Sequence, residues 1–184
     1  ATWTVNTYLQ TIQVRYQNTT GGWGDYSTYA PCTTNVNYGE THSCSIAVSA
    51  EYTAGSVSGY TVTGANTKYI DLYRNTRTVS LNKGTGIASV YIAGDGVKSG
   101  SGTASATVYY GGNITINASV TSGYRFVKWT GSDTYWYTTS KSITNVTSNL
   151  YFTANGELDC QGSIDGTMQD FSTSGLCDSV DEGT

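Results

Sequence analysis

The stretch Tyr110-Gly111-Gly112-Asn113-Ile114-Thr115-Ile116-Asn117-Ala118-Ser119-Val120 decides the fold class. Its two glycines make a tight turn, and the run that follows alternates. Ile114, Ile116, Ala118 and Val120 fall on one side, and Thr115, Asn117 and Ser119 on the other. A period of two is the signature of a strand with one buried face. Seventy-two residues earlier Tyr38-Gly39-Glu40 leads into Thr41–Ala50, where Cys44, Ile46, Val48 and Ala50 alternate with Ser43, Ser45, Ala47 and Ser49. Each is followed by a Gly-Tyr step, Gly59-Tyr60 and Gly123-Tyr124, that opens another strand. Each unit then closes on a similar strand, Lys68–Asn75 and Ser148–Asn155. An internal repeat of this kind divides the chain into modules at 1–76 and 77–156, linked around Thr76-Arg77.

Other strands follow from the same alternation. Ile12, Val14 and Tyr16 oppose Thr11, Gln13 and Arg15; Val79 and Leu81 open the second module; Ala104, Ala106 and Val108 share one side of Thr103–Tyr109. Gly21-Gly22, Gly94-Asp95-Gly96 and Gly100-Ser101-Gly102 separate the runs. Composition agrees: the 184 residues include 31 Thr, 16 Tyr and 22 Gly, and Val with Ile outnumber Leu by 23 to 6. Charged residues are only 12%, which excludes a charge-rich disordered chain, a coiled coil or a long-helix bundle. In modules this small large aromatics carry much of the core. Tyr124, Phe126 and Trp129 are expected to do so in the second module, and Trp23 and Tyr26 in the first.

Net charge is −4, so the basic field of a nucleic-acid binder is missing. No apolar run of 18 residues exists to span a membrane. The charges are unevenly divided. All nine Lys and Arg lie at or before Lys141, giving residues 1–156 a net +3, whereas 157–184 hold seven acids and no base. That shift marks a boundary near Asn155-Gly156 and sets off an acidic C-terminal segment. The four cysteines fall into two local pairs, Cys32 with Cys44 and Cys160 with Cys177, without metal-ligand spacing. Three connectivities are open; the local one is simplest, each bond stabilising by roughly 3 kcal/mol, and free cytosolic thiols are the other reading. The chain opens at Ala1 with no Met and no signal peptide, and is read as a processed or trimmed form of an exported, extracellular protein.

Catalytic constellations are scarce. The only His is His42, beside Cys44, and no Gly-x-Ser-x-Gly elbow accompanies it. It is read as a solvent-facing strand histidine. One His and two local Cys pairs make no zinc site, so no metal or other cofactor is expected. The six acids of the body lie in turns or on exposed faces, unlike the opposed carboxylates of a glycosidase. Asp165–Asp170 lacks the alternating ligands of a calcium loop. Asp71 is the candidate acid for an internal Lys–Asn isopeptide bond, though no spacing identifies its partners.

The second module resembles the divergent internalin-type B-repeat family of bacterial surface proteins. The residues that carry the resemblance over 77–155 are Thr78–Gly84, Tyr110–Ile116, Gly123-Tyr124-Arg125-Phe126-Val127-Lys128-Trp129-Thr130-Gly131 and Phe152–Asn155. Residues 1–76 look like a companion module found before such repeats, through Val14–Gln17, Gly22–Tyr26 and Tyr69–Asn75. Thr167–Phe171, with Cys177 after it, looks like the opening of a Fibrobacter-type major paralogous domain over 157–184. The Gly94–Gly102 insert departs from the B-repeat pattern and leaves the first hairpin of the second module open. The resemblance implies small β-grasp-like repeats used as stalks or adhesive modules on bacterial envelopes, and no enzyme. The fold expected is therefore all-β: two tandem β-grasp-like or β-sandwich-like modules and an acidic, disulfide-closed segment at 157–184.

By the same resemblance Tyr135-Trp136-Tyr137 falls in the loop before the final strand. Three adjacent aromatics on extended backbone cannot all face one core, so at least one is exposed and available to a sugar face or a protein partner. The competing reading makes Trp136 a core cap flanked by two Tyr. The acidic segment has too few apolar residues to fold alone and is expected to dock on a neighbouring copy through Ile164, Met168 or Phe171 by adding a strand to a sheet edge. A short helical turn is expected near Thr167–Phe171. The function expected is non-catalytic: a structural module of a bacterial cell surface or filament, whose partners are other copies or neighbouring surface domains. A glycan- or host-protein-binding adhesin is the alternative, and a secreted hydrolase the third.

Overall fold

The computed structural model describes residues 3–132, 134–159, 161–164 and 167–170. No α-helix occurs among them, so the all-β expectation holds. The chain divides into two compact units. Ala1–Thr76 with Tyr109–Gly111 make unit 1; Arg77–Val108 with Gly112–Thr184 make unit 2.

Unit 1 is built around β1 (Thr7–Tyr16). Its alternation buries Ile12 and Val14 completely and leaves Gln13 and Arg15 half-buried on the other face. β2 (Ser27–Thr28) and β3 (Thr34–Asn37) pair antiparallel with successive stretches of β1. β4 (Thr41–Ile46) and β5 (Gly55–Thr61) form a hairpin. The closing strand β6 (Asn66–Leu72) pairs parallel with β1, with Ile12 opposite Lys68 and Tyr16 opposite Leu72. Ile12, Val14, Cys32, Ile46, Val57 and Leu72 fill the core, each large aliphatic contributing about 1.5–3 kcal/mol of burial. Cys32 ends a single 3-10 turn, Ala30–Cys32, with Pro31 at its centre, and its disulfide to Cys44 ties that turn to the hairpin.

Unit 2 is a two-layer sandwich. Strands β7 (Thr76–Lys83), β9 (Val97–Ser99), β10 (Ser105–Tyr109), β12 (Tyr124–Gly131), β13 (Thr134–Trp136) and β15 (Leu150–Leu158) make a six-stranded sheet in the order β13-β12-β15-β7-β10-β9. Strands β8 (Ile87–Ala93), β11 (Gly112–Val120) and β14 (Ser140–Val146) make the facing sheet, with β11 in the middle. Val79, Leu81, Val108, Trp129 and Phe152 from one layer meet Ile87, Val90, Ile92, Ile114, Ile116 and Val146 from the other. The closing strand again runs parallel to the opening one, Leu150 opposite Val79 and Ala154 opposite Lys83. The glycine insert is where the chain leaves one layer for the other: β8 lies in the small sheet, β9 and β10 in the large one. Gly94 makes the step at φ +129°, so close that a Cβ would lie 2.8 Å from the Asn113 carbonyl oxygen.

Several expectations need correction. His42 is not solvent-facing; it is 7% exposed, because it shares the inward face of β4 with Cys44 and Ile46. Trp23 and Tyr26 are not core residues: Tyr26 is exposed and Trp23 half-buried, the interior being filled by aliphatics. Trp129 is fully buried, but Tyr124 and Phe126 only half so. Val120 and Ala50 lie beyond the buried part of their runs and are exposed, Val120 just after a register shift at Ser119. The helical turn expected near Thr167 is instead β17 (Thr167–Asp170), paired antiparallel with β16 (Gln161–Ile164). Ile164 and Met168 sit on this hairpin. Phe171, Cys160 and Cys177, and with them the second expected disulfide, lie outside the described residues.

Candidate functional site

Tyr135, Trp136 and Tyr137 are split by strand geometry. On β13, Trp136 stands opposite Trp129, and Tyr135 opposite Thr130. Opposed residues share a face, so Trp136 follows Trp129 inward. It is half-buried, packs on the core and lies 5.1 Å from the Phe152 ring centroid. Tyr135 and Tyr137, of opposite parity, are 61% and 66% exposed and meet edge to face at 5.7 Å.

Two lysines complete this corner. Lys128 of β12 places Nζ 5.9 Å from the Tyr135 ring centroid, and Lys141 of β14 reaches across the sandwich margin to within 5.5 Å of the Trp136 ring. An ammonium over a ring face is drawn to the aromatic quadrupole and keeps its charge on display. The edge strand β13 thus carries one ammonium on its outer face, beside Tyr135, and one on its inner side, over Trp136. Asp133, which precedes β13, lies outside the described residues.

The outer face of unit 1 carries a second aromatic group. Arg15 on β1 lies opposite Asp71 on β6 and donates to it as a fork, Nε to Oδ1 at 2.7 Å and Nη2 to Oδ2 at 2.9 Å. The Tyr26 hydroxyl donates to the same Oδ1 at 2.7 Å. The Arg15 bond first, and the Tyr26 bond second, hold the Asp71 carboxyl down at about 2; the same carboxylate raises the Tyr26 hydroxyl above its ordinary value. The guanidinium sits 4.7 Å from both the Trp23 and the Tyr26 ring centroids. Tyr73 and Tyr69 close the group edge-on, 5.0 Å from Trp23 and 4.9 Å from Tyr26. Asp71 is thus committed to Arg15 and Tyr26, not to a lysine–asparagine pair.

His42 meets Tyr60 edge to face at 5.8 Å, with Nε2 buried and unpartnered. Among the described residues no acid or hydroxyl bonds this nitrogen to orient it as a base. Among the described residues no cluster of His, Cys, Asp and Glu could hold a metal ion, and no helix is long and apolar enough to cross a membrane.

The corner of β12, β13 and β14 and much of the sandwich beneath it fall within a stretch that is similar to a known family. The divergent InlB B-repeat domain matches residues 92–158. The matched B-repeat runs from the end of β8 through β15, takes in Tyr135, Trp136, Tyr137, Lys128 and Lys141, and leaves residues 1–91 and 159–184 uncovered. The family is one of bacterial surface repeats and not a known enzyme family. No curated protein and no solved structure gives a significant match.

The aromatic triplet was visible in the sequence; its two lysines, seven residues before Tyr135 and six after it, were not, since Lys128 arrives across the β12–β13 hairpin and Lys141 from the facing sheet. The Arg15–Asp71–Tyr26 group was missed too. Its signal is the parity of Tyr69, Asp71 and Tyr73, which alternate with the half-buried Ile70 and the buried Leu72 along β6 and the residue after it.

Proposed function

We propose that the chain is a non-catalytic, load-bearing module of a bacterial cell surface or filament that associates with other copies through residues 157–184. The observation that carries this reading is the parallel pairing of first and last strands in both units, β1 with β6 and β7 with β15. A parallel pair brings the chain in at one end of a unit and takes it out at the other. Tension between those ends then loads the registered backbone hydrogen bonds together, in shear, where a hairpin pulled from its open end would give them up singly. Resistance of this kind sets the rate of forced unfolding, which is what a stalk or filament subunit needs.

The test is single-molecule stretching along two directions. Tethers at Thr76 and Leu158 load β7 against β15 in shear; tethers at Tyr124 and Leu158, which are opposed at the end of an antiparallel pair, peel β12 from β15. The first should require clearly higher force and release about 3.3–3.6 Å per residue freed. Equal forces in the two directions would refute the load-bearing role. The adhesin reading draws on the exposed Tyr135 and Tyr137, and a glycan array would address it. The hydrolase reading draws no support from His42, which is buried and unpartnered.

A further inference from the structure

Lys128 and Lys141 form no ion pair with any described residue, in contrast to Arg15 with Asp71 and Arg74 with Glu51. Both are half-buried along their stems, and both ammonium groups are held beside aromatic rings of the β13 corner. A charge kept in place and paired with no described acid invites an anionic partner. The chain itself carries a dense one: residues 157–184 hold seven acids and no base, six of them beyond Glu157, which pairs with Arg125 of β12. That segment begins at the end of β15, where Leu158 lies opposite Tyr124, at one end of β12. The corner lies towards the other end, where Gly131 meets Thr134. The start of the donor segment and the receiving corner therefore lie towards opposite ends of the same strand, the arrangement that lets one copy serve the next in a row.

Resting on the self-association reading above, we propose that the corner of Lys128, Lys141, Tyr135 and Tyr137 is the receiving site for the acidic segment 157–184 of a second copy. The ammonium groups pair with its carboxylates, and the two tyrosine hydroxyls donate to them. The exposed ring faces cover apolar residues such as Ile164 or Met168. Such a contact is heterologous, since each copy gives a segment and offers a corner, so it propagates as an open row instead of closing as a dimer.

The experiment uses the full chain in analytical ultracentrifugation over a series of concentrations and salt. The wild-type chain should associate and fall apart as salt screens the pairing. Lys128→Glu with Lys141→Glu should weaken association by at least about tenfold. Asp178→Lys, Asp181→Lys and Glu182→Lys together should do the same. Mixing the two variants should restore association, because each then carries the charge the other lacks. Melting curves check that the variants stay folded. A wild-type chain that is monomeric throughout refutes self-association and this site with it. A wild-type chain that associates, with the lysine variant associating equally well, overturns the site alone; so does a mixture that stays apart. Retention of the wild-type chain on heparin that needs both lysines, with assembly unaffected by their reversal, overturns it in favour of a polyanionic glycan.

Discussion

Replacing Trp136 by Ala separates the two roles its neighbourhood suggests. The indole is largely withdrawn from water, lies 5.1 Å from Phe152 and is packed on the core of unit 2. A Trp covers 150–250 Å² in such positions, and at about 25 cal/mol per Å² the lost burial amounts to roughly 3 kcal/mol once the incomplete coverage and the retained Cβ are allowed for. The truncation also leaves a cleft at the sandwich margin that water can enter, so the full cavity penalty of a sealed core does not apply. In a unit of this size 3 kcal/mol corresponds to a fall in Tm of about 12–24 °C. Thermal melts of the whole chain, followed by near-ultraviolet circular dichroism, should show the transition of unit 2 moving by that amount. Tyr135→Ala and Tyr137→Ala remove exposed rings and should each change stability by no more than about 0.5 kcal/mol. A Trp136→Ala transition unmoved within that same margin would show that the indole is not part of the core, and the face-sharing argument from Trp129 would fail.

Three further outcomes are expected. Because Asp71 is held at about 2, below its ordinary value, the Arg15–Asp71–Tyr26 group stabilises unit 1 fully above about pH 4, and the contribution is lost as pH falls from there towards 2; Asp71→Asn should flatten that acid limb in urea midpoints, and identical limbs would contradict the pairing. Replacing Cys32 and Cys44 by Ser, which opens a loop of 12 residues, should cost unit 1 about 3 kcal/mol in urea titrations while the unit 2 transition stays put. Gly131→Ala, at φ +126° and with its Cβ directed at the Tyr151 carbonyl oxygen, should destabilise unit 2 by about 2–3 kcal/mol; Gly123→Ala, at φ +80° in open space, should cost only about 1 kcal/mol in the same assay.

What the sequence made legible was whatever depends on near neighbours. The period-two run after Gly111-Gly112 placed Ile114 and Ile116 in the core, and the same run after Gly39 placed Ile46 there. The short loop made Cys32–Cys44 the natural pairing. Its failures had two sources. His42 shares the parity of Cys44 and Ile46, so the pattern pointed inward; the polar character of the residue was given more weight than its position. Trp23 and Tyr26 were placed inside on size alone, whereas their situation depends on Arg15 and Asp71 being opposed. That register belongs to a parallel pair between strands far apart in sequence, and no local pattern reports it. The corner at β13 was half legible: its aromatics are consecutive, and its lysines, though within seven residues of Tyr135, meet the rings only through the β12–β13 hairpin and the meeting of two layers.

The parallel pairing also constrains how the protein comes into being. In unit 1, Ile12 waits for Lys68; in unit 2, Val79 waits for Leu150, a still longer interval. Neither core can close until its closing strand has been delivered, since β6 and β15, the parallel neighbours of the opening strands, carry the last residues of the two cores. Contacts of such long sequence separation are slow to form, because the entropy of the whole intervening loop is lost before they are rewarded. Until then β1 or β7 exposes a sheet edge and an apolar face, the state most open to mispairing. A chain threaded through a pore would remain extended until the end of each unit had passed, then fold unit by unit on the far side, with the order of synthesis preserved as the order of assembly.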